Sequence, residues 1–278
     1  MSEVQIRIIY FVFILCAVAV WEIVAPRRRL TVSKPKRWFN NLTIIFLNSM
    51  VVKVLFPVAA IGVAVVTETH GKGFFTILHL PDWIAVLAGI LLLDLVIYLQ
   101  HVMFHAVPLL WRLHMVHHAD LDYDVTTGLR FHPIEIVLSM VIKMTIVASF
   151  GVPVLAVLIF EIVLNGTAMF NHGNIYLPEK LDRYLRLLLV TPDMHRIHHS
   201  VIIRETNSNF GFSLPWWDRL FGTYRAQPVS GHKGMTIGLS QYRIEKQVSL
   251  FRLLLLPFVG DEGRYSIKYI GKEPGRKK

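Results

Sequence analysis

Five long apolar segments constrain the fold of this chain more than any other feature. A helix needs about 20 mostly apolar residues to cross the roughly 30 Å of hydrocarbon in a membrane. Hydrophobic residues make up 54% of the chain, which is more than an ordinary soluble domain contains. We therefore predict an all-α, multi-pass membrane protein with spans at residues 6–25, 42–66, 83–100, 134–150 and 154–170.

The five segments differ in regularity. Lys53 and Pro57 interrupt the second segment, and the last two are short arms of a predicted helical hairpin that turns at "GVP", residues 151–153. Whether both arms cross the membrane fully stays open. The "AVA" at residues 17–19 resembles a signal-peptide cleavage site, but the basic residues follow this apolar segment and do not precede it, which favours an uncleaved span.

The distribution of basic residues predicts the orientation of the chain. Residues 26–41 contain six Lys or Arg and no acidic residue, whereas residues 67–82 contain Lys72 alone as a basic residue. Loops rich in Lys and Arg stay in the cytoplasm. The amino terminus is therefore predicted outside and the carboxyl terminus in the cytoplasm. The expected membrane is the plasma (inner) membrane of a bacterium or the endoplasmic reticulum membrane of a eukaryote.

Charge and cysteine content exclude some functions. The formal net charge is +10, but no motif that reads a nucleic-acid groove accompanies it. Anionic lipid headgroups explain the charge more simply, and no nucleic-acid partner is expected. The lone Cys16 lies in the first apolar segment, where it can form neither an internal disulfide nor a thiolate metal site.

Histidines recur at spacings that suit metal binding. His101 and His105 continue the third apolar segment as H-x-x-x-H, which places both imidazoles on one helix face. The pattern H-x-x-H-H then occurs twice, and its adjacent histidines diverge by about 100° on a helix, which suits two metal ions better than one. Two further histidines lie at the ends of the hairpin arms. We expect ten imidazoles to converge on one pocket in a cytoplasmic, histidine-rich helical cap: His101, His105, His114, His117, His118, His132, His172, His195, His198 and His199.

The number of imidazoles indicates the kind of metal site. Iron, zinc, copper and nickel all accept imidazole ligands, so ligand type alone leaves the metal open. A tetrahedral zinc site uses at most about four protein ligands and a haem about two, so this many histidines predict a pair of metals. For His132 and His172 the alternative is capping of helix-end carbonyls. His70, His79 and His232 are interpreted as surface residues.

Two other features accompany the histidines. Asp94 lies inside the third apolar segment, seven residues before His101, and is predicted to orient a ligand histidine. An ion pair of Asp94 with Lys53 or Lys143 between helices is the alternative. The segment "LPWWDRLFGTY" predicts an aromatic belt at the membrane interface, which is also a candidate wall of the substrate entrance, formed by Trp216, Trp217 and Phe221.

Residues from about 84 to 225 resemble the fatty acid hydroxylase and sterol desaturase superfamily of membrane non-haem di-iron enzymes. The resemblance rests on the ordered motifs "HVMFH", "HMVHH", "RFHPIE", "NHGN", "HRIHH" and "NSNFGFSLPWWDRLFGTY". It implies that the histidine boxes bind two Fe ions, which activate O₂ and oxidise an unactivated C–H bond of a lipid. By position it implies eight ligands within the boxes, and His132 and His172 match the histidines between boxes.

We divide the chain accordingly into three regions. These are an N-terminal transmembrane region at residues 1–82, a catalytic domain at 83–225 and a basic cytoplasmic tail at 226–278. The expected activity is hydroxylation or desaturation of a sterol, fatty acyl, alkyl-lipid or carotenoid substrate, and the sequence does not choose between them. Asn171-His172 stands where some fatty acid hydroxylases carry an additional H-x-x-x-H pair, which disfavours a sphingolipid-type hydroxylase.

The expected partners are membrane lipids, the lipid substrate and an electron donor. No fused cytochrome b5 domain is visible, so electrons are expected from a cytochrome b5 or ferredoxin with an NAD(P)H reductase, or from a reduced pterin. The alternative function is a non-enzymatic metal or haem protein for electron transfer or transport. A transporter places its polar ligands at mid-membrane depth, whereas these histidines lie at or beyond the ends of apolar segments.

Overall fold

Helices form all the regular structure in this computed structural model, which describes residues 3–267. The predicted all-α fold is confirmed, because the described part of the chain contains two isolated bridges but no strand. Two 3₁₀ helices cover Thr127–Leu129 and Glu245–Val248. The α-helices in chain order are α1 Glu3–Val24, α2 Lys34–Leu55, α3 Ala59–Thr69, α4 Phe74–Ile77, α5 Asp82–Ala106, α6 Pro108–His118, α7 Pro133–Phe150, α8 Val154–Asn171, α9 Glu179–Leu185, α10 Pro192–His198, α11 Ile203–Thr206, α12 Trp216–Leu220, α13 Gly231–Gly234 and α14 Leu250–Val259.

Five helical segments within residues 3–267 are long and apolar enough to cross a membrane. They are α1, the segment that contains α2 to α4, and the helices α5, α7 and α8. Large apolar side chains point outward along them, such as Phe13 and Phe46, which are 67% and 64% exposed. Helices that are apolar on their outer surface need an apolar surrounding, so the chain is a multi-pass membrane protein.

The second predicted span differs from the structure at both ends. Its helix α2 begins at Lys34 and ends at Leu55, and a new helix begins at Ala59. Pro57 accounts for the break, because proline lacks a backbone N–H and disfavours a helical conformation in the residue before it. As a result α3 is a separate helix of 11 residues, which packs against α7 and α8.

The predicted hairpin is formed by α7 and α8. After Phe150 the chain turns at Gly151, whose φ of 64° lies in the left-handed region that glycine adopts without strain. The returning helix α8 contacts α1, α3 and α5 and therefore lies at the centre of the bundle. Leu93, Val157 and Phe160 belong to the apolar core between these helices.

The predicted ligand histidines lie at one end of the bundle. α5 continues beyond the apolar segment to Ala106, and α6 follows it and packs back against it. The short helix α10 packs against the end of α8. A second apolar core, which includes Ile44, Trp111 and Leu253, joins α2, α6 and α14 at this end.

The first part of the predicted tail packs onto the histidine end. The ring of Trp111 stacks on Tyr265 with centroids 5.9 Å apart, and its Nε1 donates to the Glu262 carbonyl oxygen at 3.0 Å. Arg112 donates to the Pro257 carbonyl oxygen at 2.6 Å. Residues 226–267 are therefore part of the packed fold, and residues 268–278 of the predicted tail lie outside the described residues.

The basic segment after α1 is fixed to the same end of the bundle. The guanidinium of Arg37, a residue only 5% exposed, donates to Asp120 Oδ1 and to Asp124 Oδ2 at 2.7 Å each. Arg27 forms an ion pair with Asp193 at 2.9 Å, five residues before the end of α10. Basic residues that predicted the orientation thus also hold residues 26–41 against the histidine end.

Candidate metal centre

Nine of the ten predicted ligand histidines converge at this end of the bundle. Each of the nine is at most 3% exposed. They form two adjacent groups, and within each group one nitrogen of every imidazole lies within 4.8 Å of the others. The five-histidine group contains His101, His105, His114, His118 and His198, and the four-histidine group contains His117, His172, His195 and His199.

Helical geometry decides which histidine joins which group. α5 supplies two histidines one turn apart to the five-histidine group. α6 contributes histidines to both groups, and so does the α10 region. A helix rotates by about 100° per residue, so the side chains of neighbouring residues diverge. The pairs divided in this way are His117 with His118 and His198 with His199.

Backbone carbonyls fix two rings of the five-histidine group. His101 Nδ1 lies 2.7 Å from the Phe210 carbonyl oxygen, and His198 Nδ1 lies 2.8 Å from the Ser208 carbonyl oxygen. A carbonyl oxygen only accepts, so the proton of each ring is on Nδ1. Both imidazoles therefore present an Nε2 lone pair to the interior of the group.

His105 is fixed by a side-chain amide. Its Nδ1 lies 3.1 Å from Asn207 Oδ1. The amide nitrogen of Asn207 donates to the carbonyl oxygens of Ile203 and Tyr265 at 2.9 and 2.7 Å, which leaves Oδ1 as the atom that faces His105. His105 therefore also carries its proton on Nδ1 and directs a lone pair of Nε2 inward.

His114 completes this arrangement opposite His101. His114 Nδ1 lies 2.6 Å from Glu135 Oε1, and its Nε2 lies 3.0 Å from Nε2 of His101. When Nδ1–H of His114 donates a hydrogen bond to the Glu135 carboxylate, the Nε2 lone pairs of His114 and His101 face each other. Two facing lone pairs repel, and a shared cation removes the repulsion.

The four-histidine group is held in another way. His172 Nδ1 lies 2.7 Å from the Ala168 carbonyl oxygen, and its Nε2 lies 3.1 Å from His117 Nε2 and 3.2 Å from His199 Nε2. Nδ1 of His117 and Nδ1 of His199 have no hydrogen-bond partner among residues 3–267. Ring packing holds these side chains, since His117 stacks on Phe131 with centroids 4.4 Å apart.

Burial keeps the imidazoles outside the spanning segments neutral. Loss of solvation lowers the pKa of His114 and of His172 to about 3. Burial, followed by the proximity of other histidines, also lowers the pKa of His118, His195 and His199 well below the usual range. Neutral imidazole is the form that binds metals, so this environment favours ligation.

The donor atoms fit a metal. Nε2 of His105 and Nε2 of His198 are buried and have no hydrogen-bond partner in the described part of the chain. Leaving a buried polar atom unpaired costs about 1–3 kcal/mol, which coordination of a cation offsets. Imidazole-rich, sulfur-free ligation suits iron, zinc, copper or nickel. The two histidine groups can therefore bind metal.

The structure does not bring His132 into either group. Its Nδ1 accepts a hydrogen bond from the Ile134 backbone N–H at 3.2 Å, at the start of α7. Its Nε2 lies 3.2 Å from the Leu254 carbonyl oxygen in α14. Both ring nitrogens thus contact the backbone, and the side chain caps a helix.

One of the three histidines interpreted as surface residues is buried. His70 and His79 are exposed, as predicted. His232 is only 7% exposed, and its Nε2 lies 3.7 Å from Asp193 Oδ2. The surface interpretation is wrong for His232, because residues after 226 fold back onto the histidine end.

Asp94 contacts a tryptophan and not a lysine. Its Oδ2 accepts a hydrogen bond from Trp217 Nε1 at 2.8 Å, which links α5 to α12. Lys143, one of its predicted alternative partners, pairs instead with Glu161 at 2.9 Å. Asp94 therefore positions the aromatic segment, and the hydrogen bonds of His101 go to other residues.

The other two aromatic residues lie at the surface. Trp216 is 42% exposed and donates from Nε1 to the Leu187 carbonyl oxygen at 2.6 Å. Phe221 is 52% exposed and stacks on Tyr98 with centroids 5.5 Å apart. Exposed aromatic rings are typical of a membrane interface, and Trp216 also has the polar contact that tryptophan makes there.

Sequence reasoning missed two residues that hold ligand rings. Glu135 bonds His114 and Asn207 bonds His105. Glu135 belongs to "RFHPIE" and Asn207 opens "NSNFGF". Membership of the motifs that carry the resemblance is the signal that could have found them, because neither residue type nor spacing distinguishes them.

A cavity of about 300 Å³ adjoins the five-histidine group. His101, His114 and Glu135 line the end next to the histidines. Met140 on α7 and Leu164 on α8 line the part that extends into the membrane bundle. An apolar chain in this cavity would reach the histidines from within the bilayer.

Comparison with known proteins gives consistent matches. Residues 86–223 match the family model described as fatty acid hydroxylase. The ornithine lipid hydroxylase OlsE of Rhizobium tropici is 27% identical over 222 residues, which cover 76% of this chain and 64% of that protein. The alkylglycerol monooxygenase of Homo sapiens is 28% identical over 159 residues, 55% of this chain and 33% of that protein. The alkylglycerol monooxygenase of Xenopus tropicalis is 28% identical over 213 residues, 73% of this chain and 44% of that protein.

The chain thus spans less than two thirds of the length of each of these relatives. No solved structure matches it. The matched residues 86–223 contain all nine histidines of the centre, and they also contain Glu135 and Asn207. Sequence match and site geometry lead to the same conclusion: the chain belongs to the fatty acid hydroxylase superfamily.

Proposed function

We propose that this protein is a membrane-bound, O₂-dependent lipid oxygenase with a di-iron centre. One observation carries the proposal: the five-histidine group borders a cavity that extends between the membrane helices, where apolar side chains such as Met140 and Leu164 line it. A site that only carried electrons or stored metal would not need a cavity of this kind. A lipid C–H bond, in contrast, reaches the histidines only through an apolar path.

Each histidine group would hold one iron. Bound there, a pair of irons supplies the activation of O₂ and the oxidising power needed to remove hydrogen from an alkyl carbon. The protein's own residues hold the imidazoles in one tautomer through Phe210, Ser208 and Asn207. The Glu135 carboxylate accepts a hydrogen bond from Nδ1–H of His114, which increases the basicity of that ligand. The apolar side chains of the cavity, such as Met140 and Leu164, would orient the lipid chain and exclude water.

We further propose hydroxylation over desaturation. The relatives that support this are an ornithine lipid hydroxylase and alkylglycerol monooxygenases, whose names describe insertion of oxygen into amphiphilic lipids. The electron donor would be a separate cytochrome b5 or ferredoxin with its NAD(P)H reductase, or a reduced pterin. The packing of the basic residues 26–41 against the histidine end supports a cytoplasmic position of the centre, where such a donor is available.

Isotope labelling tests this proposal. The purified full chain, loaded with iron and supplied with reductant, is incubated with an alkylglycerol or an ornithine lipid under ¹⁸O₂, and products are analysed by mass spectrometry. We expect product that carries one labelled oxygen, with no product from His117→Ala and normal product from His79→Ala. Product formed without O₂, or label taken from H₂¹⁸O, would contradict oxygenase chemistry. A double bond without label would instead identify a desaturase.

A further inference from the structure

The end of the cavity away from the histidines is charged. Glu161 on α8 pairs with Arg7 on α1 at 2.9 Å and with Lys143 on α7 at 2.9 Å. All three residues line the cavity that adjoins the five-histidine group. Two cations thus face one carboxylate, so this cluster, the Arg7–Lys143–Glu161 cluster, has an excess positive charge. Ionisable side chains inside a membrane bundle are costly, and residues of this kind usually serve a function.

The cluster also marks the junction of two cavities. A second cavity, of about 480 Å³, lies between α1, α2 and α8. It shares a set of lining residues with the first cavity: Arg7, Ile45, Ser49, Glu161 and Asn165. Its other lining residues include Tyr10 and Phe46, which are 50% and 64% exposed on the outer surface of the bundle. A path therefore leads from the lipid-facing surface, past the charged cluster, to the histidines.

Helix lengths define the depth of the cluster. Lys143 follows Glu135 by eight residues on α7, which corresponds to about 12 Å along the helix, and Glu161 precedes His172 by eleven residues, or about 16 Å. Arg7 lies four residues after the start of α1, which is about 6 Å from the helix end that is opposite the histidines. The side chain of Arg7 is 38% exposed, so its guanidinium can extend toward the headgroup level of that side.

From these observations we propose that Arg7 and Lys143 bind the acidic group, a carboxylate or a phosphate, of the lipid substrate. The lipid enters from the bilayer beside α1, its acidic group stops at the cluster, and its chain fills the apolar cavity toward the five-histidine group. The distance between cluster and centre then determines which carbon is presented to the histidines. Arg7 and Lys143 act here as specificity-determining residues. The inference rests on the proposed lipid substrate, but it concerns binding and can be tested without turnover.

Charge complementarity favours an acidic group over a neutral one. A hydrogen bond to a charged partner contributes about 1.5–3 kcal/mol, which corresponds to roughly tenfold or more in affinity. Glu161 competes with the ligand for the same two cations. Its removal should therefore strengthen binding of an anion, whereas a cluster that served only to hold the three helices together would be weakened by the loss of any member.

The test compares three radiolabelled probes of equal chain length on the purified, iron-loaded full chain: hexadecanoate, hexadecyl phosphate and hexadecanol. We expect the wild type to bind at least one anionic probe about tenfold more tightly than hexadecanol. Arg7→Gln and Lys143→Gln should each remove most of this preference, and Arg7→Lys should keep it. Glu161→Gln should increase it. Lys53→Gln is the matched control, because Lys53 is an exposed cation on α2 that lines neither cavity.

Iron content, measured on every variant, shows that the centre is intact. The anionic probe that the wild type prefers identifies the acidic group as a carboxylate or a phosphate. Equal binding of all three probes, or weaker anion binding by Glu161→Gln at normal iron content, would overturn the proposal. If either result is found while oxygenation is normal, only the proposed binding of an acidic group fails, and the proposed oxygenase function still holds. Selective anion binding without any O₂-dependent product would instead contradict the proposed oxygenase function and support the binding of an acidic group.

Discussion

The two histidine groups consist of the same side chain but are supported differently. In the five-histidine group, the Nδ1 atoms of four rings contact a carbonyl, an amide oxygen or a carboxylate. In the four-histidine group, His172 has such a contact, whereas His117 and His199 have no hydrogen-bond partner at Nδ1 within residues 3–267. Ring packing, as between His117 and Phe131, holds the latter group.

The position of each group explains the difference. His101 and His114 border the cavity, so one side of the five-histidine group faces a space that protein side chains do not fill. Protein packing is therefore incomplete on that side, and hydrogen bonds hold the rings in place. No member of the four-histidine group lines that cavity, and protein side chains such as Tyr123 enclose it. Complete enclosure fixes a ring without a hydrogen bond.

Loss of one ligand from each group should have the largest effect and should separate the groups. His105→Ala leaves four imidazoles in its group, whereas His195→Ala leaves three. We expect both variants to lose oxidation almost completely, because one centre needs both metals. Metal analysis should show a decrease from about two ions per chain toward about one in His195→Ala and a smaller decrease in His105→Ala.

His79→Ala is the control for this pair, since His79 is exposed and distant from the groups in sequence. Equal metal loss in both variants would show that the groups form a single unit and not two separable sites. Unchanged metal content in both would show that the convergence of the imidazoles has another cause.

Removal of a ring support should have an intermediate effect, confined to the five-histidine group. Asn207→Leu deletes the oxygen that bonds His105 and should lower the affinity for one of the metals about 10- to 100-fold, as measured by chelator competition. Tyr123→Phe, which keeps the ring stacked on His172 and removes only a hydroxyl group, should change the affinity little. A larger effect of Tyr123→Phe than of Asn207→Leu would contradict the conclusion that hydrogen bonds support the five-histidine group and ring packing supports the four-histidine group.

Substitution of His132 should have the smallest effect. Its imidazole caps α7 and lies outside both groups. We expect His132→Ala to lower the free energy of unfolding by about 1 kcal/mol through loss of the cap, with metal content unchanged. The melting temperature and metal analysis measure the two quantities on the same sample. Loss of metal from His132→Ala would show that His132 is a ligand after all, which is the role predicted from its place between the histidine boxes.

Part of this structure was predictable from the sequence, because it depends only on the length of a membrane span and on the period of a helix. Membrane thickness sets the length of a span, so the five apolar segments were recognisable. α2 was less predictable at its ends, because its polar first turns, from Lys34 onward, are stabilised by Arg37 and its contacts with Asp120 and Asp124. The division of His117 from His118 and of His198 from His199 follows directly from the helical period.

Tertiary structure alone decided the support of the centre and the path to it. His101 and His105 obtain their Nδ1 partners from residues 109 and 102 positions away. The Arg7–Lys143–Glu161 cluster joins the α7–α8 hairpin to α1, which lies more than 100 residues earlier in the sequence. Sequence spacing determines which face of a helix carries an imidazole. Which nitrogen of that imidazole bears the proton depends on the atom opposite it, and for His101 and His105 that atom belongs to the segment after α11, which reaches α5 only in the tertiary structure.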